Sequence, residues 1–193
     1  SNDKEYEIAM SEQTLVELKG INHSYSIGTG QKLKVLSNID LSLQADEIVA
    51  LLGPSGSGKS TCLRILAGLL KPTDGEVRIQ NKLLEGTNPL VSMVFQSYAL
   101  LPWLTVFENV ALGLEPHALG DTEVRTRVRH AIDLVGLEGF EEAYPKELSG
   151  GMKQRVGVAR ALVMERPVIC LDEPFSALDV LSAETLRGEI LKI

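Results

Sequence analysis

One stretch of eight residues constrains this chain more than any other: Gly53-Pro54-Ser55-Gly56-Ser57-Gly58-Lys59-Ser60, followed by Thr61. It satisfies the spacing G-x-x-x-x-G-K-[ST] completely. Glycines at these positions let successive backbone N–H groups turn toward an anion, and a lysine adds a mobile positive charge that reaches terminal phosphates. The next hydroxyl, that of Ser60, is placed for a hard divalent cation such as Mg²⁺. The loop needs a strand before it and a helix after it. "EIVALLG" (47–53) is a continuous apolar run, as expected for a strand buried on both faces, and "KSTCLRILAGLL" (59–70) reads as a helix.

The rest of the chain supports an α/β reading. "LVELKGI" and "LKVLSNIDLSL", separated by the turn "SIGTGQK", have the alternation of strands, with Val35, Ile39, Leu41 and Leu43 on one face. "EVRIQ" and "VSMVFQ" (91–96) are further strand candidates. "DTEVRTRVRHAIDLVGL" places Val124, Val128, Ile132 and Val135 on one helical face with arginines opposite, a solvated face to which no ligand is assigned. "SGGMKQRVGVARALVME" is a second helix with Ser149 at its N-cap position. "VICLDEP" (168–174) is a short apolar strand ending in two carboxylates, and "VLSAETLRGEILKI" is helical by composition. Strand–loop–helix alternation predicts an α/β domain with a mainly parallel sheet and an inserted helical segment over roughly 97–150. Residues 1–13 read as a disordered leader.

Two further motifs carry chemistry. Asp172, at the end of an apolar strand, can hold Mg²⁺ through water, and Glu173 can then orient or deprotonate an attacking water. The Ser149-Gly150-Gly151 turn opens a helix, where exposed N–H groups and the helix dipole favour an anion. Ser149 caps that helix whether or not an anion binds. The chain thus has two anion sites and one complete phosphate loop.

A phosphate loop, then "LSGGMKQR" (148–155), then "LDEP", resembles the ATP-binding cassette (ABC) family over about residues 14–193. The resemblance implies a phosphate-loop NTPase (RecA-like) core with an antiparallel β subdomain and an inserted α-helical signature subdomain. It places β subdomain and core at about 14–96 and 165–193, and the helical subdomain at about 97–164. It also implies two cassettes facing head to tail, with each ATP between the phosphate loop of one and the Ser-Gly-Gly helix of the other. Ser149, Gly150, Gly151 and Gln154 would then meet the partner's nucleotide, while Gly53 through Thr61 bind the chain's own ATP. Gln96 matches the glutamine that senses Mg²⁺ and the attacking water, so that Ser60, Gln96 and Asp172 form the implied metal set and Glu173 and Gln96 the catalytic pair. Tyr25 is the candidate for stacking on adenine, with plain packing the alternative for an exposed strand-end tyrosine. Asp179, in "SALD", matches an acid of the loop that touches the other subunit. Trp103, in "SYALLPWLTVFENV", falls where transporters receive a helix of the membrane subunit; a lone tryptophan is also a common core residue.

The flavour of "QSYALLPWLTVFENVALGL" and "DEPFSALDVLSAETLR" is similar to bacterial importers of nitrate, sulfonates such as taurine, or bicarbonate. The resemblance implies ATP and Mg²⁺ as cofactors, a second ATPase subunit, a transmembrane permease and, indirectly, a solute-binding protein as partners. It implies a peripheral place at the cytoplasmic face of the inner membrane. The family also carries a γ-phosphate histidine on a strand beyond the "SALD" loop. His23, His117 and His130 all lie upstream of it, and the chain stops at Ile193, so a C-terminally truncated cassette with impaired turnover is expected. The competing readings are a DNA-repair, chromosome or translation cassette, an unrelated phosphate-loop kinase or GTPase, and a fragment that binds ATP without turnover. Chromosome types would need a coiled coil between Lys59 and Ser149, and no heptads occur there. A net charge of −7 without a basic run argues against a nucleic-acid partner. Cys62 and Cys170 sit in apolar segments and read as small buried hydrophobes, with no histidine at metal-ligand spacing.

Overall fold

A computed structural model describes residues 14–28, 30–114 and 119–172. They fall into two compact units, divided in sequence between Val91 and Ser92.

The first unit is built on a long hairpin. Strand β1 (Thr14–Ile27) pairs antiparallel with β2 (Gln31–Gln44), and the Ile27–Gln31 pair closes on the predicted turn. On its other edge β1 pairs antiparallel with β3 (Asp74–Ile79), which pairs with the short β4 (Lys82–Leu83), giving the order β2-β1-β3-β4. Val16 and Leu18 are buried, and so are Ile21 and His23. Those two pairs would face opposite sides of a regular strand. A bulge between Leu18 and Ile21 restores them to one face. It is held by polar groups: Gly20 N–H donates to Asp40 Oδ1 at 2.7 Å, and Asn22 Nδ2 donates to the Gly20 carbonyl at 3.0 Å.

Helix α1 (Lys59–Leu66) buries Thr61, Cys62, Ile65 and Leu66. It stops four residues short of the predicted end because Gly68 turns left-handed, φ +69°, and a Cβ there would collide with the Gly86 carbonyl oxygen. The run at 47–53 corrects a second expectation. Residues 47–52 join no strand, and Ile48 and Leu52 are 78% and 91% exposed. Apolar composition makes a buried strand only where a ladder partner exists. The sheet of this unit ends with β2 on one side and β4 on the other, and neither takes the segment.

The second unit contains all but the first residue of β5 (Val91–Val94), which pairs with β6 (Val168–Leu171), and helices α2 (Val106–Ala111), α3 (Asp121–Leu134) and α4 (Gly150–Leu162). The ladders of the first unit are antiparallel throughout, as the implied antiparallel β subdomain requires. Val94, Val106, Val110, Val128, Ile132, Val156 and Val158 form the core of the second unit. The predicted face of α3 is the buried one, and Arg127 on its other side pairs with Glu123 at 2.7 Å and Glu165 at 2.9 Å. Among the described residues no helix is long and apolar enough to cross a membrane.

Asn109 ties the loop before α2 to that helix. It is wholly buried; its Oδ1 accepts from Leu101 N–H at 2.8 Å, and its Nδ2 lies 2.9–3.1 Å from the carbonyl oxygens of Leu101, Leu104 and Thr105. Asn109→Ala removes the partner of the Leu101 N–H and of the Leu104 carbonyl, while the Leu101 and Thr105 carbonyls keep backbone bonds from the Leu104 and Asn109 N–H groups. Chemical denaturation is expected to show a loss of about 2–3 kcal/mol. A loss within error of zero would mean that water replaces the amide.

Candidate nucleotide-binding residues

The phosphate loop lies entirely in the first unit. Its conformation is set from inside: Ser57 N–H donates to the Pro54 carbonyl at 3.2 Å, and Cys62 N–H to the Gly58 carbonyl at 2.8 Å, which starts α1. Lys59 Nζ donates to the carbonyls of Gly53 and Pro54, each at 3.0 Å, so the ammonium sits over the start of the loop. Gly56 and Gly58 both have positive φ, +79° and +94°. At Gly58 a Cβ would come within 2.8 Å of Leu36 and 2.9 Å of Val35, so the loop backbone rests directly on β2. Gly58→Ala combines that clash with a left-handed backbone. It is expected to destabilise the protein by about 1–2 kcal/mol and to weaken nucleotide binding, readable by thermal unfolding and nucleotide titration. An alanine variant with unchanged melting and affinity would show that the loop shifts freely.

Tyr25, in β1, belongs to the same unit. Its hydroxyl is 3.3 Å from Thr61 Oγ1 on α1, and its ring meets His23 edge-on, centroids 4.7 Å apart. The residue is 37% exposed. His23 is buried, which makes it a packing partner of Tyr25. Burial raises the Cys62 thiol pKa, in keeping with a packed, unreactive side chain.

The remaining candidate residues lie in the second unit. Strand β5 ends at Val94, so Gln96 lies two residues beyond the strand and not at its close. Asp172 directly follows β6; its N–H donates to the Val94 carbonyl at 3.0 Å, and it is 2% exposed. A carboxylate that deeply buried suits a cation or a hydrogen-bonded role. Glu173, Asp179 and His117 lie outside the described residues. Ser149 caps α4 as expected, its Oγ accepting from Met152 N–H at 3.2 Å. Ser149 and Gly150 are exposed and Gly151 half-exposed, so the helix start faces outward. Gln154 is different: at 1% exposure it lies in the interior, away from the surface Ser149 and Gly150 present.

A nucleotide-bound Mg²⁺ would need oxygen donors. The Ser60 hydroxyl and the Asp172 carboxylate are the right kind, since Mg²⁺ takes one or two carboxylates beside substrate phosphates. Among the described residues no group of three or more His, Cys, Asp or Glu gathers, which leaves no soft or all-protein metal cage. Three features went unseen in the sequence. One is the capping box of α2, where Thr105 and Glu108 bond each other's backbone N–H; the spacing T-x-x-E was there to be read. The others are the Asn109 clamp and a contact of Arg160 taken up below.

Comparison with known proteins shows the family. The family profile described as "ABC transporter" matches residues 36–176. A taurine import ATP-binding protein of Pseudomonas aeruginosa is 46% identical over 164 residues, covering 85% of this chain and 62% of that protein. A nitrate import ATP-binding protein of Synechocystis is 40% identical over 178 residues, covering 92% and 66% respectively. The chain therefore spans about two thirds of the length of these relatives. Among solved structures, the dimeric post-hydrolysis state of the ATP-binding cassette MJ0796 bound to ADP and Pi superposes with a TM-score of 0.82 at 36% identity, covering 91% of this chain and 81% of that one.

Proposed function

Because this chain belongs to the ABC transporter family, we propose that it is the ATP-binding and ATP-hydrolysing part of a membrane importer for a small anion of the sulfonate or nitrate type. The observation that carries the reading is the exposed, Ser149-capped start of α4, in a chain whose phosphate loop is complete without it. A helix of 13 residues whose remaining turns are mostly buried presents its anion-binding end to the outside. The natural occupant is the γ-phosphate of an ATP held by a second copy, so the working unit is a head-to-tail dimer.

Within that dimer Gly53 to Thr61 hold the triphosphate and Lys59 offsets charge on its terminal groups. Tyr25 stacks on the adenine. Ser60, Asp172 and Gln96 hold Mg²⁺, which supplies charge neutralisation on the phosphates when bound. Glu173 accepts the proton of the attacking water, and Asp179 contacts the partner. Residues 14–96 and 165–193 serve as β subdomain and core, and 97–164 as the helical subdomain. Trp103 is 68% exposed on the loop before α2, an apolar contact suited to a permease helix. The location is then the cytoplasmic face of the inner membrane, with a solute-binding protein acting through the permease.

The test is phosphate release by the full-length protein reconstituted with its membrane and solute-binding subunits, with taurine, another sulfonate or nitrate supplied in turn. Stimulation by one of these anions is expected. Release indifferent to every solute, or a protein that captures no permease, would overturn the proposal.

A further inference from the structure

The loop that leaves Gln96 has an unusual backbone. Tyr98 and Ala99 are both left-handed, with φ of +58° and +47°, and neither is glycine or asparagine. A left-handed backbone is unfavourable for any residue with a side chain, so two in succession persist only where the surroundings hold them. Helix α4 does so. Arg160 Nη2 donates to the Tyr98 carbonyl at 2.6 Å, and Nη1 to the Ala99 carbonyl at 2.7 Å. The flat fork of a guanidinium fits two adjacent carbonyls where an ammonium would reach one. One turn earlier on α4, the buried Gly157 lies against the Tyr98 backbone, with the position of a Cβ 3.6 Å from its carbonyl oxygen. Beyond the turn, Asn109 fixes Leu101 to Thr105.

We propose that Arg160 is a positioning residue that couples the outward-facing start of α4 to Gln96, by locking the strained Tyr98–Ala99 turn onto the helix. The proposal rests on the reading of Gln96 as a catalytic-site residue. Ser149 and Arg160 share one continuous helix, about 16 Å apart along its axis at 1.5 Å per residue. A shift imposed on that helix by the partner's nucleotide is therefore carried as a rigid displacement to the turn two residues from Gln96. Burial lowers the Arg160 pKa, but the guanidinium stays charged and keeps both bonds.

The experiment uses the full-length protein with Arg160→Lys, Arg160→Met, Gln96→Ala and the double variant Arg160→Met/Gln96→Ala. Arg160→Met is expected to lower kcat by about tenfold to a hundredfold with little change in KM for ATP, the size of effect a misplaced reacting group produces. Arg160→Lys should recover part of that loss. In the Gln96→Ala background Arg160→Met should cause no further fall, because it acts through Gln96. Hydrogen exchange of the 97–101 amides should quicken in both arginine variants while α4 stays protected, a readout that holds for the lysine protein even where the methionine protein folds poorly. Unchanged exchange in the loop, or a fall in kcat that adds to that of Gln96→Ala, would overturn the coupling alone. A Gln96→Ala protein at the wild-type rate would overturn the reading of Gln96 and the coupling with it.

Discussion

Glu173→Gln in the full-length protein is expected to reduce ATP hydrolysis by ~10²–10⁴-fold, the range for a positioned acid–base group. The amide keeps the length and shape of the carboxylate but cannot take a proton from water. Asp172, immediately before it, is pinned by its N–H to the carbonyl of Val94, so the backbone at this point is tied to β5. ATP affinity should change little, because the phosphate loop is untouched. Steady-state phosphate release beside a binding titration separates the two, and a variant that hydrolyses at the normal rate would move the base elsewhere.

Lys59→Ala should weaken ATP binding by ~10-fold or more, since charge-assisted hydrogen bonds contribute about 1.5–3 kcal/mol. The structure adds a second consequence. Lys59 also bonds the carbonyls of Gly53 and Pro54, so its loss removes two internal ties from the loop as well as a charge. Titration of a fluorescent ATP analogue reads the affinity, and equal affinity in both proteins would rule out the assignment.

What the sequence made legible was chemistry carried by local spacing. The Ser149 cap and the buried face of α3 depend on residues within a turn or two of each other, and the structure places both as expected. Features that depend on distant partners were hidden. The run at 47–53 has the composition of a buried strand, but strands are made by pairing, and no neighbour in its unit accepts it. The bulge at Gly20 reverses the alternation of β1 and is stabilised by Asp40 from β2, twenty residues on. The helix entering from Lys59 continues through Gly68 by propensity alone, yet that glycine ends it. Arg160 looked like any arginine on a helix; its partners lie 61 and 62 residues earlier, at positions with no glycine to announce a left-handed turn. Gln154 sits beside the Ser-Gly-Gly turn in sequence, but helical geometry rotates it into the core.

The central claim is that the start of α4 serves the nucleotide of a second copy. It is tested most directly by mixing two inactive full-length variants, Lys59→Ala and Ser149→Glu. The first lacks a working phosphate loop, and the second places a negative charge where the partner's γ-phosphate would sit. In a head-to-tail dimer of one subunit of each kind, one site combines an intact phosphate loop with an intact Ser149. ATP hydrolysis is therefore expected to return in the mixture although neither protein alone sustains it. A mixture as inactive as its separate components would contradict the account.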